Sequence, residues 1–141
     1  MSGQVVLARI TELPLDPAEC IAKVSTSRAG GLGVFLGAVR DHDHGRPVRS
    51  LAYEAHPSAE DSLVALCREA AARDVVSVGA VHRVGELAIG ELAVVVAVGA
   101  AHRAEALDTT RWLIDAIKAE VPIWKRQIFT DGTDEWVGAC G

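Results

Sequence analysis

Two β-branched stretches constrain the fold most. Residues 75–84 are rich in valine, and Leu92-Ala-Val-Val-Val-Ala-Val98 is a nearly continuous apolar run. Val side chains are restricted about χ1 and pack well on a pleated surface, so both stretches read as strands. Residues 85–90, glycine at each end, read as the connection between them. A second neighbouring pair is expected upstream. Residues 30–40 form a Gly-rich strand, and residues 48–55 suit a strand hairpinned to it across the polar loop 41–47. Strands that follow one another with no helix between them break strict β–α alternation. The fold class expected is α+β with a largely antiparallel sheet.

Helices fall between these pairs. Asp16-Pro17-Ala-Glu19 offers a capping carboxylate, a proline at the first helical position and an acid three residues after the cap. That helix is predicted to run to about Ser25, with Cys20, Ile21 and Val24 inward. Ser58 caps a second helix whose stripe is Leu63, Leu66, Cys67 and Ala70. A third spans residues 102–120, with Leu107, Ile114, Ile117 and Val121 at helical spacing, and Pro122 stops it. Strands are expected at residues 4–10, 123–129 and 135–137, the last two joined by a turn at Asp131-Gly132. With 141 residues and no linker or repeat, residues 1–141 read as one domain.

Charge and cysteine content exclude several classes. A formal net charge of −5 argues against a general nucleic-acid binder, which needs a broad basic surface. No apolar run reaches the roughly 20 residues that span a bilayer, and the first residues lack a signal-peptide pattern, so no membrane partner is expected. Three widely spaced cysteines make neither a disulfide framework nor a zinc motif. The expected compartment is the reducing cytoplasm. Cys20 and Cys67 read as small core residues, and Cys140 lacks the neighbouring base that a thiol nucleophile needs.

Several segments invite chemical readings. Gly31, Gly33 and Gly37 lie one residue off a dinucleotide fingerprint, but they lead into a strand instead of opening a helix, so close backbone packing is the better reading. Asp41-His-Asp-His44 carries ligand-type side chains without a third partner at diagnostic spacing, so neither a metal nor a cofactor is expected. The lysines are more informative. The chain has only Lys23, Lys118 and Lys125, and the last two flank the reversal at Pro122. Both can converge on one pocket, where mutual repulsion and burial lower an ammonium pKa and fit it for acid, base or nucleophilic work. The plainer alternative is two surface lysines, one favouring a helix C-terminus. His102-Arg103, where the third helix begins, suits an anion, as does Arg40 at a strand end. His82-Arg83, within a strand, reads as structural.

Taken in order, these segments resemble a known family. They are Phe35-Leu-Gly-Ala-Val-Arg40 with the following Asp-His-Asp-His-Gly loop, Leu51-Ala-Tyr-Glu-Ala-His-Pro57, and Val81-His-Arg-Val-Gly-Glu-Leu87 with Gly90. Ala101-His-Arg103, Pro122-Ile-Trp-Lys-Arg126 and Asp134-Glu-Trp-Val137 follow. The chain is similar to the large, catalytic subunit of molybdopterin synthase over almost its whole length.

The resemblance implies an α/β hammerhead with an added antiparallel β subdomain. It implies conversion of cyclic pyranopterin monophosphate into molybdopterin by insertion of two dithiolene sulfurs. The sulfur donor would be a small ubiquitin-like carrier subunit with a C-terminal Gly-Gly thiocarboxylate, bound to a homodimer within a heterotetramer. Lys118 matches the family's essential lysine and Lys125 its second active-site lysine. Arg40, His102, Arg103 and Arg126 match substrate-pocket positions, with the backbone at Ala38 and Val39 and the side chain of Gln127 in the pocket walls. His102 and Arg103 would come from the neighbouring protomer. A basic residue is common in the family where Ala38 stands, and an acid where Gln127 stands. The reading from a different class is a non-catalytic anion-binding or scaffold dimer of the same fold. A metal hydrolase built on the Asp-His-Asp-His loop is a third.

Overall fold

The computed structural model describes residues 3–138. Nine strands and three helices appear among them. The first sheet contains β1 (Gln4–Thr11), β5 (Ser77–Arg83), β7 (Leu92–Ala100) and β2 (Gly31–Ala38), in the order β1-β5-β7-β2. β1 and β5 are parallel, and the other pairings are antiparallel. The second sheet is antiparallel. It runs β3 (His42–Asp43), β4 (Arg46–Ala55), β8 (Ile123–Phe129) and β9 (Asp134–Val137), with β6 (Gly85–Ala88) also on β4. This is the α+β hammerhead with its added antiparallel subdomain.

The valine run of β7 is continuous because both its faces are covered. Val94, Val96 and Val98 pack beneath α2 (Ala59–Ala71) and α3 (Arg103–Glu120). Val95 and Ala97 pack on the other side against Cys20 and Val24 of α1 (Pro17–Val24). Close approach of α3 to β2 depends on glycine. A Cβ on Gly33 would run into Thr110 Oγ1 and the carbonyl of Ala106.

Several local expectations change. The upstream hairpin does not form. β2 pairs with β7, whereas β4 pairs with β8 and β6 in the other sheet, and the hairpin made by the polar loop joins β3 to β4. His44 and Gly45 turn it with φ of 49° and 78°. The connection at residues 85–90 contains a strand, β6. Asp16 caps α1 by accepting from the Ala18 N–H at 3.0 Å, but Glu19 pairs with Arg9 at 2.9 Å and does not reach back to the cap. Ser58 makes no side-chain cap on α2; its hydroxyl lies 2.8 Å from His56 Nδ1. Leu107 is 56% exposed, because Ala106, Thr109 and Thr110 form the inner face of that part of α3. No helix among the described residues is long and apolar enough to cross a membrane.

Candidate active site

The site forms where the two sheets meet. α3 ends at Glu120 with Val121 as its cap, Pro122 follows, and the chain reverses into β8. Ile114, Ile117, Lys118 and Val121 share one side of the last helical turns and line a cavity. Strand alternation turns Lys125 towards the same cavity, with Tyr53 as its cross-strand neighbour on β4. Phe35, Gly37 and Ala38 of β2 close another wall, where a register shift between Gly37 and Ala38 bends the strand. The cavity measures about 90 Å³.

Lys118 and Lys125 therefore converge, as their spacing about Pro122 predicts. Partial burial pulls the Lys125 pKa below the ordinary lysine value. Lys118 and Arg40 push the same way, and the carboxylates of Asp43 and Glu135 oppose them. Among the described residues no carboxylate lies within ion-pair distance of Lys118.

The other sequence candidates divide. Gln127 is 3% exposed and donates from Nε2 to Asp43 Oδ2 at 2.8 Å. That bond holds the Asp43 carboxyl below its ordinary range. Arg40 is exposed and reaches Asp43 Oδ1 at 3.4 Å, at the edge of the site. Ala38 lines the cavity. Val39 turns into a small core with Leu51, Leu87 and Ala93, and its N–H and carbonyl are bonded to Glu91 and Gly90. Arg126 points to the opposite face of β8 from Lys125 and pairs with Asp134 at 2.7 Å. His102 and Arg103 are exposed at the start of α3, about 22 Å along the helix from Lys118 at 1.5 Å per residue. Within one chain they lie outside the cavity.

His82 was missed as a site residue. It ends the row Val78, Ala80, His82 on the helix-covered face of β5, where the core opens into the cavity. Nδ1 lies 2.7 Å from the Arg83 carbonyl, and the ring meets Tyr53 edge-on at 5.0 Å between centroids. Burial lowers its pKa, and Lys118 lowers it further despite the carbonyl contact. A polar residue closing an apolar alternating row is the signal that could have found it. Arg83 itself is structural, pairing with Glu91 at 2.9 Å.

Cys20 and Cys67 are buried, and burial pushes their thiols up to about 11 and about 12, which suits inert core residues. Cys140 lies outside the described residues. No group of three or more His, Cys, Asp or Glu side chains suited to a metal occurs among the described residues.

An α+β hammerhead with two lysines in a pocket at the seam of its sheets is a protein with a cationic cleft, chemically suited to an anion. The comparisons sharpen this class. The family model described as "MoaE protein" matches residues 10–120. The molybdopterin synthase catalytic subunit 1 of Mycobacterium tuberculosis is 43% identical over 140 residues, covering 96% of this chain and 93% of that one. The crystal structure of molybdopterin synthase from Staphylococcus aureus superposes with a TM-score of 0.84 at 32% identity, over 92% of this chain and 95% of that one. The fold is also shared, at 21% identity and a TM-score of 0.73, with a Helicobacter pylori chain solved as a complex of subunits 1 and 2 of molybdopterin-converting factor, over 93% of this chain and 88% of that one. The chain belongs to the MoaE family, that of molybdopterin synthase catalytic subunits.

Proposed function

We propose that the chain transfers sulfur from a thiocarboxylated small carrier subunit to cyclic pyranopterin monophosphate, forming the dithiolene of molybdopterin. The observation that carries this reading is the convergence of Lys118 and Lys125 on one cavity between the two sheets. Carrier tail and cyclic phosphate are both anionic, and fixed cations in a partly desolvated pocket stabilise charge that develops there. Lys118 acts where the thiocarboxylate meets the substrate. Lys125 assists proton transfer and phosphate binding, and its lowered pKa suits an acid–base group. Ala38 and Gln127 shape the walls, and Arg40, by exchanging its exposed contact with Asp43, adds a cation at the mouth. Arg126 and the Val39 backbone serve from behind the wall. A glycine-ended carrier tail enters extended, since glycine lets the backbones approach closely.

The geometry also supports completion of the site by a second copy. β2 is an edge strand with Leu32, Val34 and Leu36 exposed on one face. Its Gly31 end abuts the Arg103 backbone, within 3.1 Å of where a Cβ would stand, and its Gly37–Ala38 end lines the cavity. These ends are about 23 Å apart at roughly 3.3 Å per residue. A two-fold pairing of β2 edges is antiparallel, and with its axis between Val34 and Phe35 it sets residue 31 of one copy opposite residue 38 of the other. It delivers His102 and Arg103 of the partner subunit to the cavity mouth. The homodimer then carries one small subunit at each pocket, a heterotetramer.

The test is a reconstituted assay with thiocarboxylated carrier and cyclic pyranopterin monophosphate, reading dithiolene product. Product from wild type and little from a folded, dimeric Lys118→Ala supports the enzyme. Carrier binding without product in wild type would support the scaffold dimer instead.

A further inference from the structure

Among the described residues, His82 is the one imidazole lining a cavity that two lysines also face. Its tautomer is fixed by geometry. The Arg83 carbonyl can only accept, so Nδ1 at 2.7 Å carries the proton and Nε2 carries the lone pair. Tyr53 holds the ring edge-on, and β5 places it on the cavity side. A cavity of about 90 Å³ admits a few water molecules.

The groups around the ring are few. Tyr53 comes from β4, Lys118 from α3 and Lys125 from β8. β1 and β7 set Ile10 and Val94 beside it in register, and Glu60 of α2 is engaged by the Ile10 N–H at 2.9 Å. In this company the imidazole is neutral, because burial and Lys118 oppose a third cation. It is a basic nitrogen in a pocket otherwise stocked with proton donors.

We propose that His82 is a catalytic base of this site, its Nε2 taking the proton of the water that releases the carrier from the substrate. The proposal rests on the sulfur-transfer reading of the pocket. Once the thiocarboxylate sulfur has bonded to a substrate carbon, carrier and substrate are joined by an acyl–sulfur bond. Water oxygen bonds to the acyl carbon as its proton passes to Nε2. The acyl–sulfur bond breaks, its electron pair stays on sulfur, and the thiolate forms beside the Lys118 ammonium. The carrier leaves as a carboxylic acid, which gives its remaining proton to solvent and becomes a carboxylate. The imidazolium, held through Nδ1–H by the Arg83 carbonyl, then returns its proton to solvent. No electrons are gained or lost, and water is the only co-reactant.

The test uses the full chain with thiocarboxylated carrier and cyclic pyranopterin monophosphate, following product and the mass of the carrier. His82→Asn keeps a donor at the Nδ1 position and loses Nε2. We expect turnover to fall about 100-fold or more, with carrier binding unchanged and a carrier–substrate adduct accumulating. His82→Gln puts an acceptor near the Nε2 position that cannot hold a proton, and the same accumulation is expected. Wild-type turnover in either variant, or slow turnover without the adduct, overturns the proposal. Wild type itself gives a readout if both variants misfold: adduct breakdown slows as pH falls through a value below 6.5, and a pH-independent breakdown rate overturns the assignment. Neither adduct nor product from wild type would instead remove the sulfur-transfer reading.

Discussion

Gln127 and Asp43 are 84 residues apart in sequence and joined by a 2.8 Å hydrogen bond that ties the polar loop to the wall of the lysine pocket. Gln127 is buried and its amide holds a carboxylate, so its loss leaves Asp43 Oδ2 without its short donor. Gln127→Leu is expected to cost about 1–3 kcal/mol in urea unfolding at neutral pH. Gln127→Glu sets two carboxylates together, and its deficit shrinks as the pH is lowered and one of them protonates.

Lys118 lines the cavity, and its side chain is not part of the buried core. Lys118→Ala is expected to fall about 100-fold or more in product formation, the scale of losing one preorganised charge-stabilising group. Its unfolding midpoint should stay near wild type, as circular dichroism melts would record.

Lys125 titrates below the ordinary lysine range because the pocket wall partly desolvates it. Activity that needs its ammonium is lost as pH rises through that lowered value, before 10.5 is reached. A pH–rate profile of Lys125→Arg, whose guanidinium stays charged, moves this alkaline limb upward or removes it.

His82 also makes stability pH-dependent. Its folded pKa lies below that of the unfolded chain, so the unfolded state binds more protons between the two values. Stability is expected to decline as pH falls below about 6.5 and to level off beneath the folded value. His82→Asn, which does not titrate, removes this component from a series of urea titrations.

Shared sites across a dimer predict complementation. Lys118→Ala and Arg103→Ala are each expected to be inactive alone. Mixed chains that exchange at random form heterodimers with one intact site, restoring about one quarter of wild-type activity. Equal inactivity of the mixture, with exchange shown by mass spectrometry, would place both residues in one chain's site.

Much of this was legible because it is local. The helix at residues 102–120, its stop at Pro122 and the strand at residues 123–129 follow from periodicity and proline chemistry, and they alone bring Lys118 and Lys125 to one side. Strand partnership was not legible. β2 and β4 are separated in sequence only by the polar loop that holds β3, yet each finds its main partner far along the chain, β7 and β8. Only assembly of the two sheets decides that. His82 was hidden for a related reason. Its neighbours Val78 and Ala80 mark a core row, and nothing local tells where the helices above that row stop covering it.

The alternation of β8 carries a last consequence. Lys125 faces the site, Gln127 lies on the same side of the strand and Arg126 faces away, solely by odd and even position. One residue inserted after Pro122 would leave the Ile-Trp-Lys-Arg run itself unbroken and reverse its parity. The lysine would turn to solvent and the arginine inward. The chemistry of this pocket is thus written as a count as well as a composition, and a chain bearing all the right residues can still be out of phase with its own function.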